Sequence, residues 1–211
     1  MDLDDPRAEF EAKSLRRADL ALDPFGQFRK WFSEVTDAGL YQSDAVVVST
    51  VDAEGRPSAR QVLLRGVDTG FVFFSNYDSR KGRELAGNAN AALCFTWNEL
   101  SRQVRVVGVA EQLTGTESDA YWVTRPRGSQ IAALASEQSR VIENREVLER
   151  RWAELEADHE GRDVLRPSWW GGYRVVPSEI EFWQGRPNRM HDRFRYALQP
   201  DDRWKIDRLA P

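Results

Sequence analysis

Cysteine and histidine are nearly absent from this chain of 211 residues, which has one Cys, at position 94, and two His, at 159 and 191. A lone cysteine has no intrachain partner, so a disulfide framework is excluded. The same inventory excludes zinc sites built from Cys and His, and no metal is expected. No apolar run approaches the ~20 residues that span a bilayer, so no membrane association is expected. The opening residues, MDLDDPRAEF, are acidic and hold no apolar segment. They do not read as a secretory signal, and a cytoplasmic protein is the expectation. Positive charge is not in excess: 34 Asp and Glu face 30 Lys and Arg, a net charge of −4. That balance argues against general nucleic-acid binding. Neither glycine-rich phosphate cradle, G-x-G-x-x-G or G-x-x-x-x-G-K-[ST], is present. There is no G-x-S-x-G nucleophile elbow either.

What is present is enough apolar material for a core, 41% of residues, with 8 Trp. One domain is expected over 21–211, preceded by an N-terminal arm over 1–20. The bases are skewed, with 26 Arg and 4 Lys. Genome composition explains most of that skew. The residue still matters locally, because Arg grips phosphate and carboxylate through a planar fork.

Asp23 and Pro24 read as N-cap and first position of a helix that carries Phe25, Phe28, Trp31, Phe32 and Val35 and stops at Gly39. Strands are expected at Ala45–Val51, Ser58–Arg65, Phe71–Ser75, Ala91–Trp97 and Gln103–Leu113. Towards the C-terminus, more are expected at Trp170–Val175, Glu179–Gln184, Asp192–Tyr196 and Trp204–Leu209. Helices are expected at Ser79–Ala86, from a capping box at Thr116 and Asp119 through Arg125 to Pro126, at Ser129–Ala135, and at Val141–Asp158. Hairpin order without regular β-α alternation points to an α+β antiparallel barrel with peripheral helices. Cys94, in mid-strand, reads as a buried structural thiol, and His159 as solvated.

Four cationic clusters stand out. Ser79-Arg80-Lys81 opens a helix, where free N–H groups favour anions; solvated charges beside a cap are the alternative. Tyr121 and Arg125, at i and i+4, can face one ligand, next to Arg127-Gly128-Ser129. Alternation along 60–65 separates Arg60 from Arg65. Arg189, His191 and Arg193 share a face if their segment is extended, and an ordinary polar strand edge fits equally well. Several separate Arg-plus-hydroxyl sites suggest two anionic groups to be held.

Six stretches sit in order along the chain: Arg60-Gln61-Val62-Leu63-Leu64-Arg65, Ser79-Arg80-Lys81, Arg102-Gln103-Val104, Arg125-Pro126-Arg127-Gly128-Ser129-Gln130, Glu137-Gln138-Ser139 and Trp170-Gly171-Gly172-Tyr173-Arg174. IEFWQGRPNRMHDR (180–193) and the terminal Ile206-Asp207-Arg208-Leu209-Ala210-Pro211 follow. Together they resemble the pyridoxine/pyridoxamine 5′-phosphate oxidase family from about Leu15 to Pro211. The resemblance implies a split β-barrel and a homodimer with FMN at the subunit interface. It implies oxidation of pyridoxamine and pyridoxine 5′-phosphate to pyridoxal 5′-phosphate, with O2 as acceptor and H2O2 as product.

The resemblance places Arg60, Arg80, Lys81, Ser75 and Ser139 on the FMN phosphate side. It places Gln61, Val62, Leu63 and Phe74 along the flavin, completed by Gln103, Gln138, Trp183 and Arg193. Arg65, Tyr121, Arg125 and Ser129 would hold the substrate phosphate, with Arg7 contributing from the arm. Arg189 and His191 would lie over the pyridine ring as the catalytic pair. His191 would hydrogen-bond the substrate. Arg189 would align it and assist proton removal electrostatically, because a guanidinium stays protonated. Two positions depart from the family: Arg65 stands where Lys is usual, and Phe10 stands where a Tyr lids the site beside an Arg. A related flavin oxidase acting on a phenazine precursor, and a non-catalytic FMN- or pyridoxal-phosphate-binding protein, are the competing readings.

Overall fold

The computed structural model describes residues 14–211, so the expectations for Arg7 and Phe10 fall outside the described residues. Helix α1, Pro24–Asp37, starts where Asp23 accepts a 2.7 Å hydrogen bond from the Gly26 amide. Gly39, at φ +68°, turns the chain out of it. The helical spacing puts Phe28, Trp31 and Val35 on one buried stripe. Phe28 meets Phe71 and Phe95 at 4.9 Å between ring centres, which seats α1 on the sheet.

The sheet is antiparallel throughout. Its strands are β1 (Ala45–Val51), β2 (Pro57–Leu63), β3 (Gly66–Val67), β4 (Phe71–Asn76), β5 (Asn90–Trp97), β6 (Arg102–Gln112), β7 (Trp170–Gln184), β8 (Asp192–Leu198) and β9 (Trp204–Leu209). They run in the order β2-β1-β5-β6-β7-β4-β3, with β8 and β9 branching from β7. Helices α2 (Arg80–Gly87), α3 (Gly115–Trp122), α4 (Arg127–Ala135) and α5 (Arg145–Asp158) complete the expected α+β antiparallel architecture. The stem of the arm docks on the last hairpin: Leu15 is buried and its amide bonds Asp192, while Arg17 donates to the Ile206 carbonyl.

Several expected boundaries move, each for a local reason. The two strands expected around Pro177 are one, β7. Pro177 falls at a bulge, where Gly108 faces Pro177 and Val107 faces Glu179. β4 has ended there and β8 has not begun, so the missing proline N–H removes no ladder bond on that side. The capping box is Thr114 with Glu117, not Thr116 with Asp119. The Thr114 hydroxyl accepts from the Glu117 amide, and the Glu117 carboxylate accepts from the Thr114 amide. Helix α3 therefore ends at Trp122, and Arg125 lies in the following turn. Helix α5 begins only after Asn144, which caps Val147, and it buries no residue fully. Cys94 is half-buried rather than core, and burial pushes its thiol pKa up. His159 does not float free: its Nδ1 lies 2.8 Å from the Leu155 carbonyl at the end of α5. Among the described residues, no helix is long and apolar enough to cross a membrane, and no His, Cys, Asp and Glu cluster forms that could hold a metal.

Candidate active site

Helix α2 builds the first half of the site. Ser79 caps it, and Gly82 lets its first turn press on the Tyr77 carbonyl, where a Cβ would overlap backbone. This approach drives Lys81 inward. Its ammonium donates to Ser75 Oγ and Gln138 Oε1, both at 2.9 Å, and to Ser79 Oγ at 3.4 Å. All three acceptors are neutral. Burial, with Arg60 adding to it and Glu84 opposing, lowers Lys81 to about 8. Arg60 reaches the same place from β2, donating to Thr50, Ser58 and Glu84. Arg80 bonds Glu84 Oε1 at 2.8 Å. Burial alone would raise the Glu84 carboxyl, but hydrogen bonds from Ser58, Thr50, Arg80 and Arg60 outweigh it and hold it at about 2.

Glu84 is the residue that sequence reading missed. At i+4 from Arg80 it looks like an ordinary exposed helix pair, yet its side chain is 5% exposed and balances the cations of the cradle. Its position three residues after Lys81, on the face that looks at Arg60, was the available signal. Ser139 follows Gln138 with φ +74° and makes no side-chain hydrogen bond among the described residues.

A stack of rings joins this cradle to a second cationic place. Phe74, next to Ser75 on β4, lies 3.8 Å from the Tyr121 ring and 5.5 Å from Trp170, close to parallel with both. Arg125 caps the stack, its guanidinium 4.4 Å from the Trp170 ring and 5.1 Å from Trp122. So Tyr121 and Arg125 do converge, through the turn after α3 rather than by helical spacing. Arg125 Nη2 donates to the Ser129 carbonyl at 2.9 Å, whereas its Nη1 is buried with no partner among the described residues. Burial lowers the pKa of Arg125, the charge of Arg65 adds to that, and Tyr121 opposes it. A buried N–H of a cation, aimed at nothing and beside a second cation, fits an anion.

The other candidates gather elsewhere. Gln103, Trp183 and Arg193 lie side by side on β6, β7 and β8, as register partners. Arg193 donates to the buried Glu181 at 2.7 Å and to the Ala210 carbonyl at 2.8 Å. The His191 ring packs 4.6 Å from Trp183. Its Nδ1 accepts from the Arg186 amide, so the neutral ring carries its proton on Nε2, which is left as a donor. Arg189 does not share an extended face with His191 and Arg193. Asn188 and Arg189 sit at φ +56° and +59° in a 3-10 turn, which breaks the alternation and leaves Arg189 exposed. Gln61 faces away from Arg60, into a cleft of ≈ 230 Å³ shared with Val47, Cys94 and Thr96, while Val62 packs on the core.

β7 measures how far apart the two halves are. Phe74 pairs with Gly172, near its start, and Gln103 pairs with Trp183, eleven residues further on. At ~3.3 Å per residue that is roughly 36 Å of strand.

A family model described as "Pyridoxamine 5'-phosphate oxidase" matches residues 32–157. A second, described as "Pyridoxine 5'-phosphate oxidase C-terminal dimerisation region", matches residues 170–211. The pyridoxine/pyridoxamine 5'-phosphate oxidase of Rubrobacter xylanophilus is 54% identical over 211 residues, covering 100% of this chain and 97% of the relative. The chain belongs to the pyridoxine/pyridoxamine 5′-phosphate oxidase family. Among solved structures, PhzG from Burkholderia lata 383, in complex with tetrahydrophenazine-1-carboxylic acid, aligns with a TM-score of 0.89. It is 32% identical and covers 95% of this chain and 99% of its own. A pyridoxamine 5'-phosphate oxidase-related, FMN binding protein from Nostoc punctiforme aligns with a TM-score of 0.73 at 15% identity, over 91% of this chain and 100% of its own. The antiparallel sheet with its peripheral helices is thus the split barrel of this oxidase family, and the two clusters described above lie within the matched residues.

Proposed function

We propose that this protein is an FMN-dependent oxidase that converts pyridoxamine and pyridoxine 5′-phosphate to pyridoxal 5′-phosphate, and that it works as a homodimer with FMN at the subunit interface. The observation that carries the reading is the pairing of two cationic places by one aromatic stack. Arg60, Arg80 and Lys81 surround one place, and Arg65 and Arg125 the other, with Phe74 and Tyr121 between them. Two phosphorylated ligands lying side by side need that arrangement. The separation along β7 supports the dimer: one flavin cannot touch both ends of that strand, so the partner's Gln103, Trp183 and Arg193 would complete the site. The match to a dimerisation region over residues 170–211 supports the same conclusion.

The chemistry that FMN supplies when bound is two-electron oxidation, with O2 as final acceptor and H2O2 as product. Lys81, Ser75 and Ser139 would hold its phosphate with Arg60 and Arg80, while Gln61, Val62, Leu63 and Phe74 would line the flavin and Gln138 would help complete its site. The donor set fits, because the Lys81 ammonium meets only neutral acceptors and the only carboxylate among these groups, Glu84, is fully engaged. Arg65, Tyr121, Arg125 and Ser129 would hold the substrate phosphate. The partner's His191 would donate from Nε2 to the substrate, and the partner's Arg189 would align the substrate and assist proton removal electrostatically.

The likeness to PhzG favours a phenazine precursor as a second reading. A single carboxylate matches one guanidinium fork, whereas a dianionic phosphate matches two. The test is a flavin spectrum that bleaches when pyridoxamine 5′-phosphate is added without air and returns with air. Bound pyridoxal 5′-phosphate without flavin, or bleaching only by a phenazine precursor, overturns the reading. In the same assay, Arg189→Ala is expected to lower kcat at least a hundredfold with flavin content unchanged. Surviving turnover would remove Arg189 from the catalytic pair.

A further inference from the structure

We infer that Asp44 is a positioning residue, holding one edge of the Arg65 guanidinium so that the other edge meets the substrate phosphate. The inference rests on the phosphorylated-substrate reading above. Asp44 stands one residue before β1, just beyond the Ala45–Leu63 register pair. Its carbonyl accepts from the Leu64 amide at 2.8 Å, and the Arg65 amide donates to the Val72 carbonyl at 2.7 Å. The backbone under Arg65 is therefore pinned to the mouth of β1 on one side and to β4 on the other.

The side chain is fixed in the same way. Nη1 of Arg65 donates to Asp44 Oδ2 at 2.6 Å and to the Leu64 carbonyl at 3.2 Å. Among the described residues, Nε and Nη2 have no partner. Among the described residues, one nitrogen thus carries every side-chain hydrogen bond of Arg65, and the remaining donors stay free. Arg65 is close enough to Arg125 for its charge to be felt there, and Arg125 Nη1 is itself buried and unpaired. Two guanidinium groups with free donors, held near each other against their repulsion, frame a place for one anion.

The pairing also shows what a guanidinium does here that an ammonium would not. A lysine would offer a compact point charge that Asp44 and the ligand would share. A guanidinium separates the two tasks, because its donors form a rigid fork. Arg65 and Asp44 therefore work as a unit, and Asp44 has no comparable task beside a lysine.

Four variants test this: D44A, D44N, R65K and the double variant D44A/R65K. The readouts are KM and kcat with pyridoxamine 5′-phosphate, and the dissociation constant of pyridoxal 5′-phosphate on the holoenzyme. D44A is expected to raise KM and the dissociation constant about fivefold, the scale of freeing one long side chain, with kcat changed less than twofold. D44N should stay within twofold of the parent, because the amide oxygen still accepts from Nη1. In the R65K background, D44A should change KM less than twofold. Three results overturn the inference: no effect of D44A, a D44N variant as weak as D44A, or a D44A effect of equal size in the R65K background. If the parent itself binds pyridoxamine as tightly as its phosphate, the functional reading falls first, and the parent alone reveals that failure.

Discussion

Exchanging Arg125 for methionine is expected to raise the KM for pyridoxamine 5′-phosphate about a hundredfold while making the substrate-free protein more resistant to heat. The first effect follows from removing a buried cation opposite a buried anion, a change that costs about 2–5 kcal/mol. The second follows from the orphaned N–H. In the free protein, Nη1 of Arg125 is buried without a partner among the described residues, and such a group destabilises the fold by about 1–3 kcal/mol. Methionine keeps an adaptable apolar side chain over Trp170 and Trp122 and removes the unmet donor. Affinity and stability therefore move in opposite directions. Steady-state kinetics and a melting curve measure the two, and a variant that loses both would show that Arg125 serves the fold instead of the ligand.

Lys81 should give the second large effect, a hundredfold or greater loss of FMN affinity in Lys81→Met, together with a distinctive pH dependence. The Lys81 ammonium titrates near 8, and a phosphate monoester completes its second ionisation near ~6. Binding needs the charged amine and the dianion, so it should be tightest between those limits. Above pH 8 the dissociation constant should climb, up to about tenfold per pH unit, and the methionine variant should lose that climb. The stability of the FMN-free protein should run the other way. Its folded-state value lies below the ordinary 10.5 of lysine, so the unfolded chain binds the extra proton between about 8 and 10.5. The cost of burying the ammonium is fully present below pH 8 and is relieved as the pH rises through that window. Calorimetric titration of the FMN-free protein with FMN across pH 6–10 checks the first sign, including proton uptake on binding near pH 8, and melting curves of the FMN-free protein over the same range check the second.

Local signals in the sequence carried the elements that depend on local chemistry. Asp23 and Pro24 mark the start of α1, Ser79 the start of α2, and the β-branched run Ala45–Val51 is β1 residue for residue. The losses came where a neighbour decides. Pro177 reads as a strand end, and only the bulge opposite Gly108 and the gap between β4 and β8 make it harmless. Thr116 and Thr114 both sit three residues from an acid, and tertiary placement of the chain leaving β6 chose Thr114. For the site, residue types in sequence pointed to Lys81, Arg60 and Arg125, because cations near hydroxyls are visible in one dimension. The signal for Glu84, its place three residues after Lys81, was outweighed, since an acid four residues from an arginine on a short helix is usually solvated. The turn at Asn188 and Arg189 was half visible, as asparagine often adopts a positive φ but arginine does not announce one.

The length of β7 has a consequence for the paired enzyme. In the proposed dimer, the early residues of each copy of the strand serve one site and the late residues serve the other. Damage at the two ends is therefore inherited by different sites. A protein dead through Arg125 and a protein dead through Arg189 should complement each other when their subunits are exchanged. A mixed pair concentrates both lesions in one site and leaves its twin whole. Random reassortment of equal amounts would restore about a quarter of the sites, as expected for a two-fold symmetric assembly.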